Sequence, residues 1–260
     1  MRRKTVATAC LCASVLAVGP AFAADGDAAD LSARQLADEA KQELLDAQSL
    51  HITLANRSDT ERSTRTPAAF DLRLDEDGNC AGSLRMGVGG ANGGSVDLVK
   101  RGDEVWMKPD ATFWKTQVGG GAGELASQLF GDRYVHGTTD DPMLAGLADT
   151  CDLDAFRGQL DSGSARAAQE SLTKGDATQV DGTGVVPLTG SEDGSTITMY
   201  VTSDAPHRLV RATEKGDDEN ITMTLTDYDT PVPDKTPSAD ESVDISKLHD
   251  VDPDATPPQA

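Results

Sequence analysis

Basic residues are scarce in this sequence. Against 44 aspartates and glutamates stand 23 lysines and arginines, a net charge of −21 over 260 residues. A field of that sign repels phosphate polymers and anionic headgroups, which argues against nucleic-acid binding and against polybasic docking on a membrane. Any lipid must then be met by an apolar pocket. Catalytic and metal-binding side chains are equally thin. His51, His136, His207 and His249 are scattered, none beside a cysteine or in a nucleophile motif, and no Gly-x-Ser-x-Gly elbow occurs. Four histidines and two mature cysteines are too few soft ligands for a metal site, and no cofactor is implied. With 44 acidic residues, carboxylate pairs arise by chance. The chain reads as a binding protein and not as an enzyme.

Long apolar runs are also missing. Val6 to Val18 is the longest, well short of the roughly 20 residues that a spanning helix needs. It follows Arg2, Arg3 and Lys4 and precedes Ala21-Phe22-Ala23, the arrangement of a secretory leader over 1–23. The mature chain is expected to be exported, soluble, extracellular or associated with the cell envelope, and monomeric. Losing Arg2, Arg3 and Lys4 takes the net charge from −21 to about −24. Cys10 and Cys12 leave with the leader. Cys80 and Cys151 remain, an even pair in an oxidising compartment that reads as one disulfide, two buried thiols being the alternative.

What is present is mostly two-residue periodicity. After a linker over 24–30, Ser32 to Gln35 fits a capping box, and Leu36, Ala40, Leu44 and Ala47 share one helical face. Alternation then sets in at Ile52 and Leu54, at Phe70, Leu72 and Leu74, and at Leu84, Met86 and Val88, with Asp77-Gly78-Asn79 as a hairpin turn. Gly87 to Gly94 lacks the lysine and hydroxyl of a phosphate loop and reads as a flexible turn. Arg101-Gly102-Asp103, an adhesion tripeptide by sequence, is plain turn chemistry at a hairpin tip. Residues 119–160 look helical and broken by glycine. From Val180 to Leu225 alternation returns, with Ile197, Met199 and Val201 and then Ile221, Met223 and Leu225 as apolar stripes. The last part of the chain is acidic and proline-rich, and 249–260 is expected to be a disordered tail.

These pieces predict an α+β domain over 31–248: a curved antiparallel sheet of about nine to eleven strands, its apolar face covered by helices. Such a cover leaves either an apolar cavity or a closed core. The scarce aromatics supply one more clue. Both tryptophans fall in Val105-Trp106-Met107-Lys108-Pro109-Asp110-Ala111-Thr112-Phe113-Trp114, a strand ending at Pro109 followed by an aromatic pair. Regular alternation puts Trp106 on the side opposite Val105 and Met107, outside any cavity.

Five segments in order carry a resemblance: Asp77-Gly78-Asn79-Cys80-Ala81-Gly82-Ser83-Leu84, the Val105 to Trp114 run, Gly131-Asp132-Arg133-Tyr134-Val135, Cys151-Asp152-Leu153, and Thr226-Asp227-Tyr228-Asp229-Thr230-Pro231-Val232. Together they resemble the actinobacterial LppX/LprG-type family of exported lipid-binding proteins, similar in fold to LolA. The resemblance implies a half-open barrel with helices over its concave face, a cavity for lipid, glycolipid or lipoprotein acyl chains, and the Cys80–Cys151 bridge. Many relatives carry a lipobox cysteine, which this chain lacks. Within that picture the expected lining is Leu72, Leu74, Leu84, Met86, Met107, Phe113, Trp114, Met199, Met223 and Leu225, with thioethers suited to varied chains and the indole nitrogens held by polar neighbours. The competing expectation is an envelope interaction protein with a closed core, whose polar convex face meets a protein partner.

Overall fold

The computed structural model describes residues 27–58, 67–87, 93–118, 120–159, 172–192 and 194–245. The expected leader over 1–23, Val88 and the expected tail over 249–260 lie outside the described residues. Helix α1 (Ala33–Asp46) begins at Ser32, which forms the expected reciprocal capping box with Gln35, and buries Leu36, Ala37, Ala40 and Leu44. The turn before it is part of the packed body: Ala28 is fully buried, its amide donates to the Ser203 carbonyl, and Lys174 Nζ donates to the carbonyls of Ala28, Ala29 and Leu31. Residues 28–30, read from sequence as linker, are thus fastened to the far end of the sheet.

The first half of the chain runs β1 (Ser49–Asn56), β2 (Pro67–Asp75), β3 (Cys80–Met86), β4 (Ser95–Arg101), β5 (Glu104–Pro109) and β6 (Tyr134–Thr138). Between β5 and β6 lie α2 (Ala111–Phe113), a π-helical turn (Trp114–Val118) and α3 (Gly120–Phe130). After β6 come α4 (Pro142–Ala148), a 3₁₀ turn (Asp149–Cys151) and α5 (Leu153–Gln159). The second half runs β7 (Thr173–Lys174), β8 (Thr178–Val180), β9 (Thr183–Glu192), β10 (Ser195–Thr202), β11 (Leu209–Lys215), β12 (Asn220–Thr226) and β13 (Ser242–Asp244).

All of these strands join one open, curved sheet of 13 strands, ordered β13-β6-β5-β4-β3-β2-β1-β12-β11-β10-β9-β7, with β8 also on β9. It is two meanders joined where β1 pairs with β12. The count exceeds the expected nine to eleven because β7, β8 and β13 hold only two or three residues each, too short for alternation to reveal. Strand β6 was hidden inside a stretch read as helical. The sheet also departs from pure antiparallel order, since β13 pairs with β6 in parallel.

Register fixes the two faces. Leu225, Ile52 and Leu72 stand side by side, continuing through Gly82 to Leu98, Met107 and Val135. Every large side chain in that row is at most 1% exposed. A Cβ at Gly82 would lie 2.0 Å from the Asp71 carbonyl oxygen, so this point of the row is held open for the neighbouring backbone. On the outer face, Trp106 stacks on His136 with ring centroids 4.6 Å apart, opposite Val105 and Met107 as alternation requires. The Arg101–Asp103 tripeptide is the β4–β5 turn, its Gly102 amide donating to Asn79 Oδ1.

Two tethers close the body. Cys80, at the start of β3, is bonded to Cys151 in the 3₁₀ turn after α4, with Cα atoms 5.5 Å apart and a sequence separation of 71. After β12, Asp227 and Asp229 adopt positive φ. Asp229 Oδ1 accepts from the Gln48 amide, and Ser49 Oγ donates to the Thr230 carbonyl. Between them the Tyr228 hydroxyl donates to the Leu209 carbonyl, and burial raises its pKa far above that of a free phenol.

Replacing both Cys80 and Cys151 by alanine should cost about 4 kcal/mol from the lost loop constraint, read as a shift of the urea midpoint. Because the folded state holds the Tyr228 proton more tightly than the unfolded chain does, its contribution is full below about pH 10 and declines as pH rises further. Tyr228→Phe should cost about 1 kcal/mol at pH 8 and reduce the fall in stability between pH 9 and 11, measured by the same denaturation.

Candidate functional site

Burial on the inner face changes abruptly one row away from the closed one. Met199, Ala212, Met223, Leu54 and Phe70 are direct neighbours on β10, β11, β12, β1 and β2, and all five are only half-buried. In the next row Ile197 and Ile221 are half-buried too, with Glu214 between them on the same face. Strands about 4.8 Å apart make the five-residue row roughly 19 Å long. It is an apolar band on the face that should hold the core.

The band is shut on one side and edged with polar groups on another. Val201, Leu225, Ile52 and Leu72, two residues along each strand, are at most 1% exposed, and α1 packs over the β10–β11 part of the sheet. Beyond Leu54 and Phe70, Asn56, Ser58 and Ala68 are buried again. Here the Ser58 amide donates to Asn56 Oδ1, Ser58 Oγ donates to Glu219 Oε2 at 3.0 Å, and Ser58 Oγ accepts from the Asn220 amide. Toward Ile197 and Ile221 the side chains stay half-buried. The result is a half-buried apolar band with a hydrogen-bonded polar edge.

The ten residues expected to line a cavity divide between this band and the core. Met199 and Met223 lie in the band. Leu72, Leu74, Leu84, Met86, Met107 and Leu225 belong to the closed core, none more than 5% exposed. Phe113 and Trp114 are buried under the helical insert. Asp110 Oδ1 caps the Phe113 amide at 2.7 Å, Trp114 stacks on Phe130 with centroids 5.3 Å apart, and a Cβ at Gly94 would sit 2.1 Å from the Phe113 nitrogen. Gly94 is therefore a close-packing position, whereas the loop was read as a flexible turn. The expectation that polar neighbours hold the indole nitrogens is not met at Trp114, whose Nε1 is buried without a hydrogen-bond partner among the described residues. The π-helical turn aims the ring into apolar surroundings.

Leu54, Phe70, Ile197 and Ile221 are the residues of the band and its next row that sequence reasoning placed in strands without assigning to a site. Alternation gives the face of a residue but not its depth.

Two histidines elsewhere are held by hydrogen bonds. His51 spans the outer face, Nε2 against Asp71 Oδ1 at 2.7 Å and Nδ1 against Thr226 Oγ1 at 3.1 Å. The buried His207 meets the Thr202 carbonyl through Nδ1. A cleft of about 340 Å³ beside the disulfide is bordered by Glu76, Asp77, Asp149, Asp152 and Lys100 and shares none of the ten lining candidates. Among the described residues no group of three or more histidine, cysteine or carboxylate side chains could hold a metal ion, and no helix is long and apolar enough to cross a membrane.

If the band is not core, truncation there should be cheap. Ile52→Ala should cost about 2–5 kcal/mol and Leu54→Ala, one inward position further along β1, less than about 1.5 kcal/mol, compared by urea denaturation of the two variants.

Similarity to known proteins is confined to structure: no family model and no curated protein matches the sequence. LprF from Mycobacterium bovis matches over 80% of this chain and 97% of its own, with a TM-score of 0.52 and 16% identity. The Mycobacterium tuberculosis lipoprotein LppX matches over 78% and 98%, at 13% identity and a TM-score of 0.48. The chain thus has the fold of LprF, as the resemblance to the LppX/LprG-type, LolA-like group implies.

Proposed function

We propose that the protein is an exported, non-catalytic carrier that holds acyl chains of a lipid, glycolipid or lipoprotein against the half-buried band. The observation that carries this reading is the row Met199, Ala212, Met223, Leu54 and Phe70: apolar, on the core side of the sheet, and left half-open beside a row that is sealed. A closed-core protein gains about 25 cal/mol for each Å² of such surface removed from water, so leaving it accessible is costly unless a ligand completes the burial. Two thioethers at the centre adapt to chains of differing shape. Glu219, half-buried and hydrogen-bonded to the buried Ser58, offers a polar edge beside the band for a headgroup that stays in water. Transfer would proceed by collision with a donor membrane or an envelope protein partner and would need no cofactor.

Native mass spectrometry of the mature protein from its host's envelope and medium, with organic extraction, should show a discrete bound lipid. In titrations with a fluorescent fatty acid, Met199→Asp or Met223→Asp should weaken binding more than tenfold while far-UV circular dichroism is kept. Undiminished binding by both folded variants would sink the assignment of the band, and a bare protein that also refuses the probe would favour a closed-core interaction protein.

A further inference from the structure

Four large apolar side chains are exposed among the described residues, Val118 at 45%, Leu125 at 65%, Leu129 at 54% and Met143 at 50%; the first three come from the helical stretch between β5 and β6, and Met143 from α4. Two of them define a face. Helix α3 presses onto the π-helical turn through Gly123, where a Cβ would lie 2.4 Å from the Trp114 carbonyl oxygen, and through Phe130 on Trp114. Leu125 and Leu129, four residues apart, lie together on the helix surface, outside that contact.

The charge of this region is unlike the rest. From Ala111 to Arg133 two cations, Lys115 and Arg133, balance two anions, Glu124 and Asp132, so the entire −21 is carried elsewhere in the chain. Arg133 stays at the end of α3, donating to the Leu129 carbonyl. The acidic remainder of the surface is repelled by anionic headgroups; this strip is not. A second copy of the chain would bring another −21 toward the contact, which disfavours self-association as the fate of this face. A helix with an exposed apolar face and little charge of its own is suited to the boundary between headgroups and acyl chains.

We propose that α3 is a membrane-contact helix, which sets Leu125 and Leu129 into the interface of a lipid bilayer while Lys115 and Arg133 stay at headgroup level. This inference stands on exposure and charge and does not require the band to bind acyl chains. It is tested by flotation of the mature protein with phosphatidylcholine vesicles, with and without phosphatidylglycerol, against the double variant Leu125→Ser/Leu129→Ser. Both leucines are exposed, so the variant should fold, as circular dichroism and sedimentation would report. The wild type should float, and the variant's partition coefficient should fall by roughly tenfold or more for the apolar area removed. A wild type that never floats, or a variant that floats equally, overturns the proposal. So does a dimeric wild type that the variant converts to monomer, which would make the face a self-contact. The same two proteins titrated with the fluorescent fatty acid without vesicles separate the readings: intact probe binding with lost flotation supports the contact helix, whereas flotation without probe binding by the wild type defeats only the carrier.

Discussion

The pairing of β1 with β12 is the constraint on which the rest of the structure depends. It joins the opening strand of one meander to the closing strand of the other in antiparallel register from His51–Thr226 to Asn56–Ile221. Without it Leu54 and Met223 would not be neighbours, and the apolar row would break into two short pieces. The hydrogen bonds of the ladder resist slippage only weakly. A shift of one residue, though, would turn Leu225 and Ile52 out of the core and Thr226 and His51 into it. The clasp beyond β12 reinforces the register, because Tyr228 reaches β11 while Asp229 and Thr230 hold the start of β1.

From that register follows the contrast between sealed and half-open rows. Side chains on adjacent inward rows are separated by two residues along a strand, about 7 Å. Within that distance Leu225 is fully buried and Met223 is not. α1 contributes Leu36, Ala40 and Leu44 to the core cluster; Met199, Met223 and Phe70 pack against that cluster from its edge, and Leu54, Ile197 and Ile221 remain half-buried outside it.

The sequence was most legible where one physical rule acted alone. The capping box at Ser32, the turn at Asp77-Gly78-Asn79, the outward side of Trp106 and the strand end at Pro109 each follow from local chemistry and appear where that chemistry puts them. The five segments that carry the resemblance have structural work. Gly131 ends α3 with positive φ, Asp152 Oδ1 accepts from the Ala155 amide at the start of α5, and the Thr226–Val232 segment forms the clasp. Such residues transmit a fold, and a ligand could differ while all of them stayed. Depth was not legible. Leu72 and Leu54 have the same pattern in sequence, yet one is buried in the core cluster and the other is half-buried outside it. Strand β6 was missed because its five residues gain their state from pairing with β5, a tertiary effect that outweighs the helical and glycine-rich context around it.

An open sheet must also manage its two edges, whose unpaired amides and carbonyls invite another strand. Here both are kept short: β7 offers two residues and β13 three. Lys174, on the β7 edge, is committed to three carbonyls of the turn before α1. At the other edge, β13 follows a segment with Pro231, Pro233 and Pro237, which cannot donate to a ladder. Guarded edges let the sheet stay open without pairing to a neighbour. In a closed barrel, interior width would be set by strand number and tilt. In this open sheet it depends on what packs over the inner face, and among the described residues the apolar band is a half-buried part of that face.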